Sequence, residues 1–471
     1  MANEKLSLKS KFAYGGLGAG IGLPSQIAFS AITFFYNTTL GLSTELTGIA
    51  WLIFSFWNAL NDPLFGFIED HTKSEKYGRR IPYIRFGAPL YGIAFIFCWI
   101  PLVDVNNQLA LFFNLTIVLF VFDTLFTILG LINFTLPAEM AITAKERANL
   151  LVYGAAISSI SYIIAFILPL LFLTGNKSPT AALEFLVVMI FVGIICAIIL
   201  FVSSFYLKEN KYTQMEETLP VIKGIIETFK NTPFLIYEVS NFSFTFAQTI
   251  LTTAIFYYVN YVLILTGFMT TLPLLLVFVM IFAFFVVFNK LVAKYGVKKT
   301  YVLALFWSGI SFLLTFFVGW TINFAIIGFV FIGIGFSGFM LTNQVVIADI
   351  VDYDETRTGK RRETTYSGIN AFITKPAISI ANWLFLLIIN NFGFDSQQST
   401  QNSSAQLGIM VGFSLIPAIF LIFSSIVMFF YPLDGPQWHA QKAELIKIHK
   451  KKELEYVKYV EEEKKKKTRI K

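Results

Sequence analysis

Long apolar runs separated by short polar loops dominate the chain. Taking about twenty apolar residues as the length that crosses a bilayer, the pattern predicts roughly twelve membrane helices, over 12–36, 46–69, 81–103, 108–136, 149–174, 183–207, 233–263, 268–290, 299–319, 323–349, 364–391 and 406–431. The loops after the second, fourth, sixth, eighth and tenth runs read HTKSEKYGRR, TAKERAN, LKENKYTQ, KLVAKYGVKK and RTGKRRE. Those on the other side carry a single lysine, Lys177. Lys and Arg collect in cytoplasmic loops, so both termini are expected in the cytoplasm. The basic start MANEKLSLKSK precedes a run too long for a signal peptide and followed by many more, which predicts a retained first helix.

The pattern repeats. KYGRR at Lys76 follows the second run and KYGVKK at Lys294 follows the eighth, each at the same place in its half. The longest internal loop, 208–232, divides six spans (1–207) from six (233–431), and 432–471 is a basic tail. The tail alternates acid and base and reads as a solvated helix ending in lysines, with attraction to anionic lipid as the other reading.

Composition agrees. Hydrophobic residues make up 56% of the 471 and charged ones 14%, against roughly 25% charged in soluble domains. The mean hydropathy is +0.68. The net charge of +7 sits in loops and tail, which speaks against nucleic acid as a partner. Cys98 and Cys196 lie inside apolar runs, and His71, His439 and His449 are scattered, so neither a disulfide framework nor a resident metal or other cofactor is indicated. There is no P-loop, nucleophile elbow or zinc-protease motif, and the chain is not read as an enzyme. The glycines of GGLGAGIG from Gly15 lie within a span and are read as allowing close helix packing.

Ionisable groups deep in a span cost about 2.5–3.5 kcal/mol each on insertion scales, so they are functional candidates. Asp62, Asp123 and Lys375 stand out, whereas Glu238, a turn or so into its run, is read as reaching the interface. Asn58 and Asp62 are one turn apart and share a helix face, with Asn61 adjacent. Together they offer the oxygens that a hard cation needs. The alternative is a polar network that holds helices together. Asp70, Arg79 and Arg80 after the second run, and Asp352, Arg361 and Arg362 after the tenth, are candidates for a cytoplasmic gate or plain basic loops.

These stretches resemble a family. NDPLFGFIEDHTKSEKYGRRIPYI, LPAEMAITAKERANL and VVIADIVDYDETRTGKRRETTYSGINAFITK are similar to segments of the glycoside–pentoside–hexuronide:cation symporters, the group of the melibiose permease. The resemblance implies an all-α membrane protein of the major facilitator fold, with two pseudo-symmetric six-helix halves and solute uptake coupled to Na⁺, Li⁺ or H⁺. It places the family's second cation-binding aspartate on Asp62, the preceding asparagine on Asn61, the first aspartate on Asn58 and the buried lysine on Lys375. The sugar-contacting acids of the permease fall near Gly22 and Leu129, and its arginine near Ala155, so none is matched in type.

One carboxylate with one lysine sums to zero and closes as an ion pair without a cation. Asp123 restores a net negative charge, which predicts a displaced Na⁺ or H⁺ site of Asp62, Asn58, Asn61 and Asp123. Candidate solute contacts are Lys375, Gln26, Asn133, Trp57, Asn241, Gln248, Asn343, Gln344 and Trp383. A monomeric symporter of a sugar or glycoside is the reading. A lysolipid symporter and a non-transporting membrane sensor stand beside it.

Overall fold

A computed structural model describes residues 6–72, 80–141, 144–175, 179–207, 227–359, 362–445 and 447. The described chain folds into twelve long helical segments and has no strands. They are α1 (Leu8–Phe34, continued by a π turn Phe35–Thr39), α2 (Thr44–His71), α3 (Ile81–Phe97), α4 (Gln108–Met140), α5 (Ala144–Leu173) and α6 (Pro179–Ser203). Then follow α7 (Thr232–Thr253, continued by Ile255–Tyr257 and a π turn Tyr258–Val262), α8 (Leu272–Tyr295), α9 (Val297–Val318), α10 (Ile322–Thr358), α11 (Glu363–Asn391) and α12 (Ser403–Met410, a π turn Val411–Leu415, and Ile416–Phe429). In hydrocarbon every backbone N–H and C=O must be satisfied within the segment, and a helix does that. The first free N–H groups are capped by Ser7, Ser43, Asn107, Asn231 and Asn402, or replaced by proline at the starts of α3, α7 and α8.

Ten of these segments are long and apolar enough to cross a membrane. The other two are α2, which carries Glu45, Asp62, Glu69 and Asp70, and α3, which has 17 residues and ends well short of the predicted residue 103. The opposite correction applies to α10. Its 37 residues span about 55 Å at 1.5 Å per residue, against a core of about 30 Å. The stretch IVDYDETRT, read as loop from its charges, is helix projecting beyond the apolar zone. A polar sequence ends a membrane-facing stripe without ending the helix.

The two halves use the same packing. In the first, α1 lies against α5 and α6, α2 against α4, and α3 against α6 and α4. In the second, α7 lies against α11 and α12, α8 against α10, and α9 against α12 and α10. Gly92 of α3 meets α6 so closely that a Cβ there would sit 2.7 Å from the Gly193 carbonyl oxygen. Gly309 of α9 meets α12 in the same way, its Cβ position being 3.0 Å from the Ile422 nitrogen. Gly15, Gly16, Gly18 and Gly20 of α1 face Ile157, Ser203, Ser158 and Leu200, which is the close helix packing read from GGLGAGIG.

Contacts between the halves gather at the end away from the chain termini. Phe34 packs on Phe256 and Tyr257 with ring centroids 5.5 and 5.0 Å apart, and the Tyr257 hydroxyl donates to Asn37 Oδ1 at 3.0 Å. Phe166 of α5 stacks on Phe278 of α8, and the Gly175 N–H donates to Asn260 Oδ1 at 3.1 Å. Between α2 and α11, Trp383 and Leu386 pack over Gly48, and the Thr33 hydroxyl of α1 donates to Asn382 at 2.7 Å. At the basic end, ion pairs among the described residues stay within a half: Lys11–Glu146 and Arg80–Glu139 in the first, Arg362–Asp354 and Lys442–Asp349 in the second. A Cβ at Gly368, on the Lys375 face of α11, would meet nothing within 4 Å. Among the described residues, the halves are thus joined toward the end away from the termini.

The start of the tail is anchored to the bundle at a few points, while His439, Ala440, Gln441, Ala443 and Glu444 stay exposed. Trp438 is buried, its indole lies edge-on to Tyr353 with centroids 6.2 Å apart, and Lys442 pairs with Asp349 on α10.

Candidate functional site

Where α2 and α11 cross, midway along the bundle, the predicted polar residues converge. α11 runs antiparallel to α2, and its Lys375 stands level with Asn58, whose Nδ2 donates to the Lys375 carbonyl at 3.4 Å. Side chains on a helix lean toward its N-terminus. Lys375 therefore reaches down toward the basic end, and its ammonium donates to Asp62 Oδ1 at 2.5 Å, Asn61 Oδ1 at 3.2 Å and Thr127 Oγ1 at 3.2 Å. Three donors thus meet three acceptors. Asn61 in turn donates its amide to Asp123 Oδ2 on α4. One asparagine joins the lysine to a second carboxylate that is only 1% exposed.

With both carboxyls ionised, two carboxylates and one ammonium would leave one negative charge here. Asn58 adds a buried Oδ1 that has no hydrogen-bond partner. An orphaned carbonyl-type oxygen beside carboxylates is the donor set that suits a small hard cation. Thr127 is a member of the cluster that the sequence reading missed. The signal for it is its place one turn after Asp123, on the same face of α4.

The other candidates scatter. Gln26 is half-buried on α1, one turn beyond Gly22, where a Cβ would meet nothing within 4 Å. Asn133 lies beside Gly18 with its Oδ1 buried and unpartnered. Trp57 is turned away from Lys375. It stacks on Phe120 at 5.5 Å, donates to Thr124 at 3.2 Å, and lines an apolar crevice of about 540 Å³ between α2, α3 and α4. Trp383 packs on Gly48 between the halves. In the second half, Asn343 accepts from Tyr301 at 3.2 Å in the α9–α10 seam, Gln344 is exposed, and Gln248 is half-buried on α7. Asn241 lies 2.6 Å from the carboxamide of Asn370 on α11.

The profile of the MFS/sugar transport protein family matches residues 12–435. The chain belongs to this family. It is the family of glycoside–pentoside–hexuronide symporters, so the chain is a multi-pass membrane transporter with the major facilitator fold. Over 94% of its length it is 25% identical to the uncharacterized symporter YnaJ of Bacillus subtilis, covering 95% of that protein. It is 24% identical to the glucuronide carrier protein homolog of Escherichia coli, over 96% of this chain and 98% of that one. Among solved structures, a D-xylose–proton symporter superposes with a TM-score of 0.64 at 12% identity, over 90% of this chain and 97% of that one.

In this transporter the candidate gate residues lie at the basic end. Arg80 reaches Glu139 of α4 at 2.7 Å, both buried. Arg362 makes a two-pronged pair with Asp354, Nε to Oδ2 at 2.7 Å and Nη2 to Oδ1 at 2.6 Å. Arg357 adds a third bond to Asp354 at 3.2 Å. Burial alone would discourage the charge on Arg362, but the Asp354 carboxylate holds its proton more tightly than usual. Asp352 is half-buried on the extension of α10. The Asp70 side chain, Arg79 and Arg361 lie outside the described residues.

Proposed function

We propose that this transporter carries a sugar or glycoside into the cell by cation-coupled symport and alternating access, with both termini cytoplasmic. The observation that carries the reading is the tie from Lys375 of one half to Asp62, and through Asn61 to Asp123, of the other. Asp62, Asp123 and the free oxygen of Asn58 form the cation site, filled by Na⁺ or H⁺. A cation held by Asp62 competes with the Lys375 ammonium. Its arrival loosens the α2–α11 contact, and its departure lets the pair close again. In this way occupancy of one site biases which end of the molecule opens.

The solute site lies between the halves, lined by neutral amides in place of the acids that the relatives of the resemblance use. Gln26 and the unpartnered Asn133 oxygen are its contacts in the first half, and Gln248 in the second. Arg80 with Glu139 and Arg362 with Asp354 hold the rim of each half rigid while the halves rock. The glucuronide carrier homologue among the relatives supports a glycoside as cargo.

The test is uptake by proteoliposomes of a labelled panel of pentoses, hexoses and glucuronides, with an imposed inward Na⁺, Li⁺ or H⁺ gradient. At least one sugar should accumulate above equilibrium with one of the ions. Asp62→Asn and Asp123→Asn should each lose accumulation. If no gradient drives any of the panel, or both variants accumulate as the parent does, the reading is wrong.

A further inference from the structure

A second buried carboxyl lies outside the central cluster. Glu238 of α7 is 3% exposed, which corrects its reading as an interfacial group, and among the described residues no lysine or arginine pairs with it. Its neighbours are carboxamides. The terminal atom of Asn370, on α11, stands 3.0 and 3.2 Å from the two Glu238 oxygens and 2.6 Å from Asn241 Nδ2. Among the described residues, the groups that the Glu238 charge reaches are tyrosines. Tyr237 beside it on α7 and Tyr301 from α9 are near enough to feel the Glu238 charge, and Tyr431, after α12, stands beyond Tyr237. From α10 comes the amide of Asn343, bonded to Tyr301. Lys375 lies five residues beyond Asn370 on α11 and is held by Asp62.

This geometry admits two complete hydrogen-bond patterns. With the Asn370 oxygen toward Glu238, two acceptors would face each other at 3.0 Å unless a proton sits between them. A neutral Glu238 donates that proton to the Asn370 oxygen, which also accepts from Asn241. With the amide turned over, Asn370 donates to an ionised Glu238, and Asn241 must turn as well to offer its oxygen. Carboxamide nitrogen and oxygen are nearly interchangeable in shape, so either pattern fits the same backbone. An unpaired carboxylate is costly in a dry interior and is relieved by taking a proton.

We propose that Glu238, Asn241 and Asn370 form a proton-binding site in the second half, separate from the Asp62–Lys375 cluster. Its two states are the two amide patterns. Glu238 Oε takes a proton from water and returns it to water, and nothing else is exchanged. Because Asn370 belongs to α11 and Glu238 to α7, movement of α11 pulls the amide from the carboxyl and changes its hold on the proton.

Infrared spectroscopy of the full chain in lipid, titrated with alkali, reads the carbonyl stretch of neutral carboxyls directly. The parent should show such a band at neutral pH that disappears on alkalinisation. Glu238→Gln should remove that component, and Asp123→Asn should leave it. Asn370→Ala keeps the carboxyl and should move the midpoint by roughly one pH unit or more. A Glu238→Gln spectrum that superposes on the parent's, a component that never titrates, or an unmoved midpoint in Asn370→Ala would each overturn the site. The last arm still decides if Glu238→Gln does not fold. None of these readouts requires transport, so a failure of the symport reading and a failure of this site remain distinguishable.

Discussion

Removing either charge of the central pair tests whether Lys375 holds the halves together. The ammonium and Asp62 approach to 2.5 Å with 18% and 14% of their side chains exposed. Two unit charges about 4 Å apart attract by roughly 4 kcal/mol at an effective dielectric near 20, and desolvation cancels much of this. The single changes are unequal. Lys375→Met leaves Asp62 and Asp123 without their shared cation, with only Asp123 still bonded to Asn61, and should cost about 3–5 kcal/mol. Asp62→Asn leaves Lys375 bonded to Asn61 and Thr127 with Asp123 nearby, and should cost about 1–3 kcal/mol. The double variant restores a single negative charge and should be less damaged than the sum, by about 2–3 kcal/mol. Denaturant unfolding of the four purified proteins closes the cycle. It should be run at alkaline pH, where the carboxylates carry their charge, and at two salt concentrations, because a buried pair is little screened. Costs that add to within about 0.5 kcal/mol would show that the pair is not a tie.

Other outcomes follow from the packing. Gly92→Leu and Gly309→Leu should abolish monodisperse protein in size-exclusion chromatography, since even an added methyl in such a seam costs about 1–3 kcal/mol. Gly22→Ala should be silent in the same assay, because its Cβ meets nothing within 4 Å. Arg362→Lys should lower the unfolding temperature nearly as much as Arg362→Ala, because a lysine cannot reproduce the two-pronged bond to Asp354. Trp438→Ala should cost about 3 kcal/mol by the same measurement, whereas a solvated tail would show no change.

Most of the spans are legible in the sequence because long apolar runs favour membrane insertion, while α2 and α3 fall short of that signal on their own. Asp62, Asn58, Asn61, Asp123 and Lys375 come into view because charges and amides are costly within a span and rarely persist there without a role. What stays hidden depends on rotation about a helix axis. Trp57 looks like a sugar platform until its ring is seen against Phe120, on the far side of α2 from Lys375. The partner of Glu238 lies on another helix, more than a hundred residues away. The end of α10 is hidden for a different reason, since a helix continues after its apolar stripe stops. One further sign is present in the chain: Gly92-Ile93-Ala94-Phe95 and Gly309-Ile310-Ser311-Phe312 mark equivalent crossings in the two halves.

The Lys442–Asp349 contact bears on the order of biosynthesis. Glu139 in Ala138-Glu139 and Asp349 in Ala348-Asp349 sit near the basic ends of the fourth helix of each half, and each is matched by a cation. Arg80, the partner of Glu139, precedes it in the chain, so the first half can complete that rim as soon as α4 is inserted. Asp349 must wait until Lys442 has left the ribosome. Chains fold from the N-terminus as they are made, which leaves the Lys442–Asp349 contact of the second half to close last, after every membrane helix is already in place.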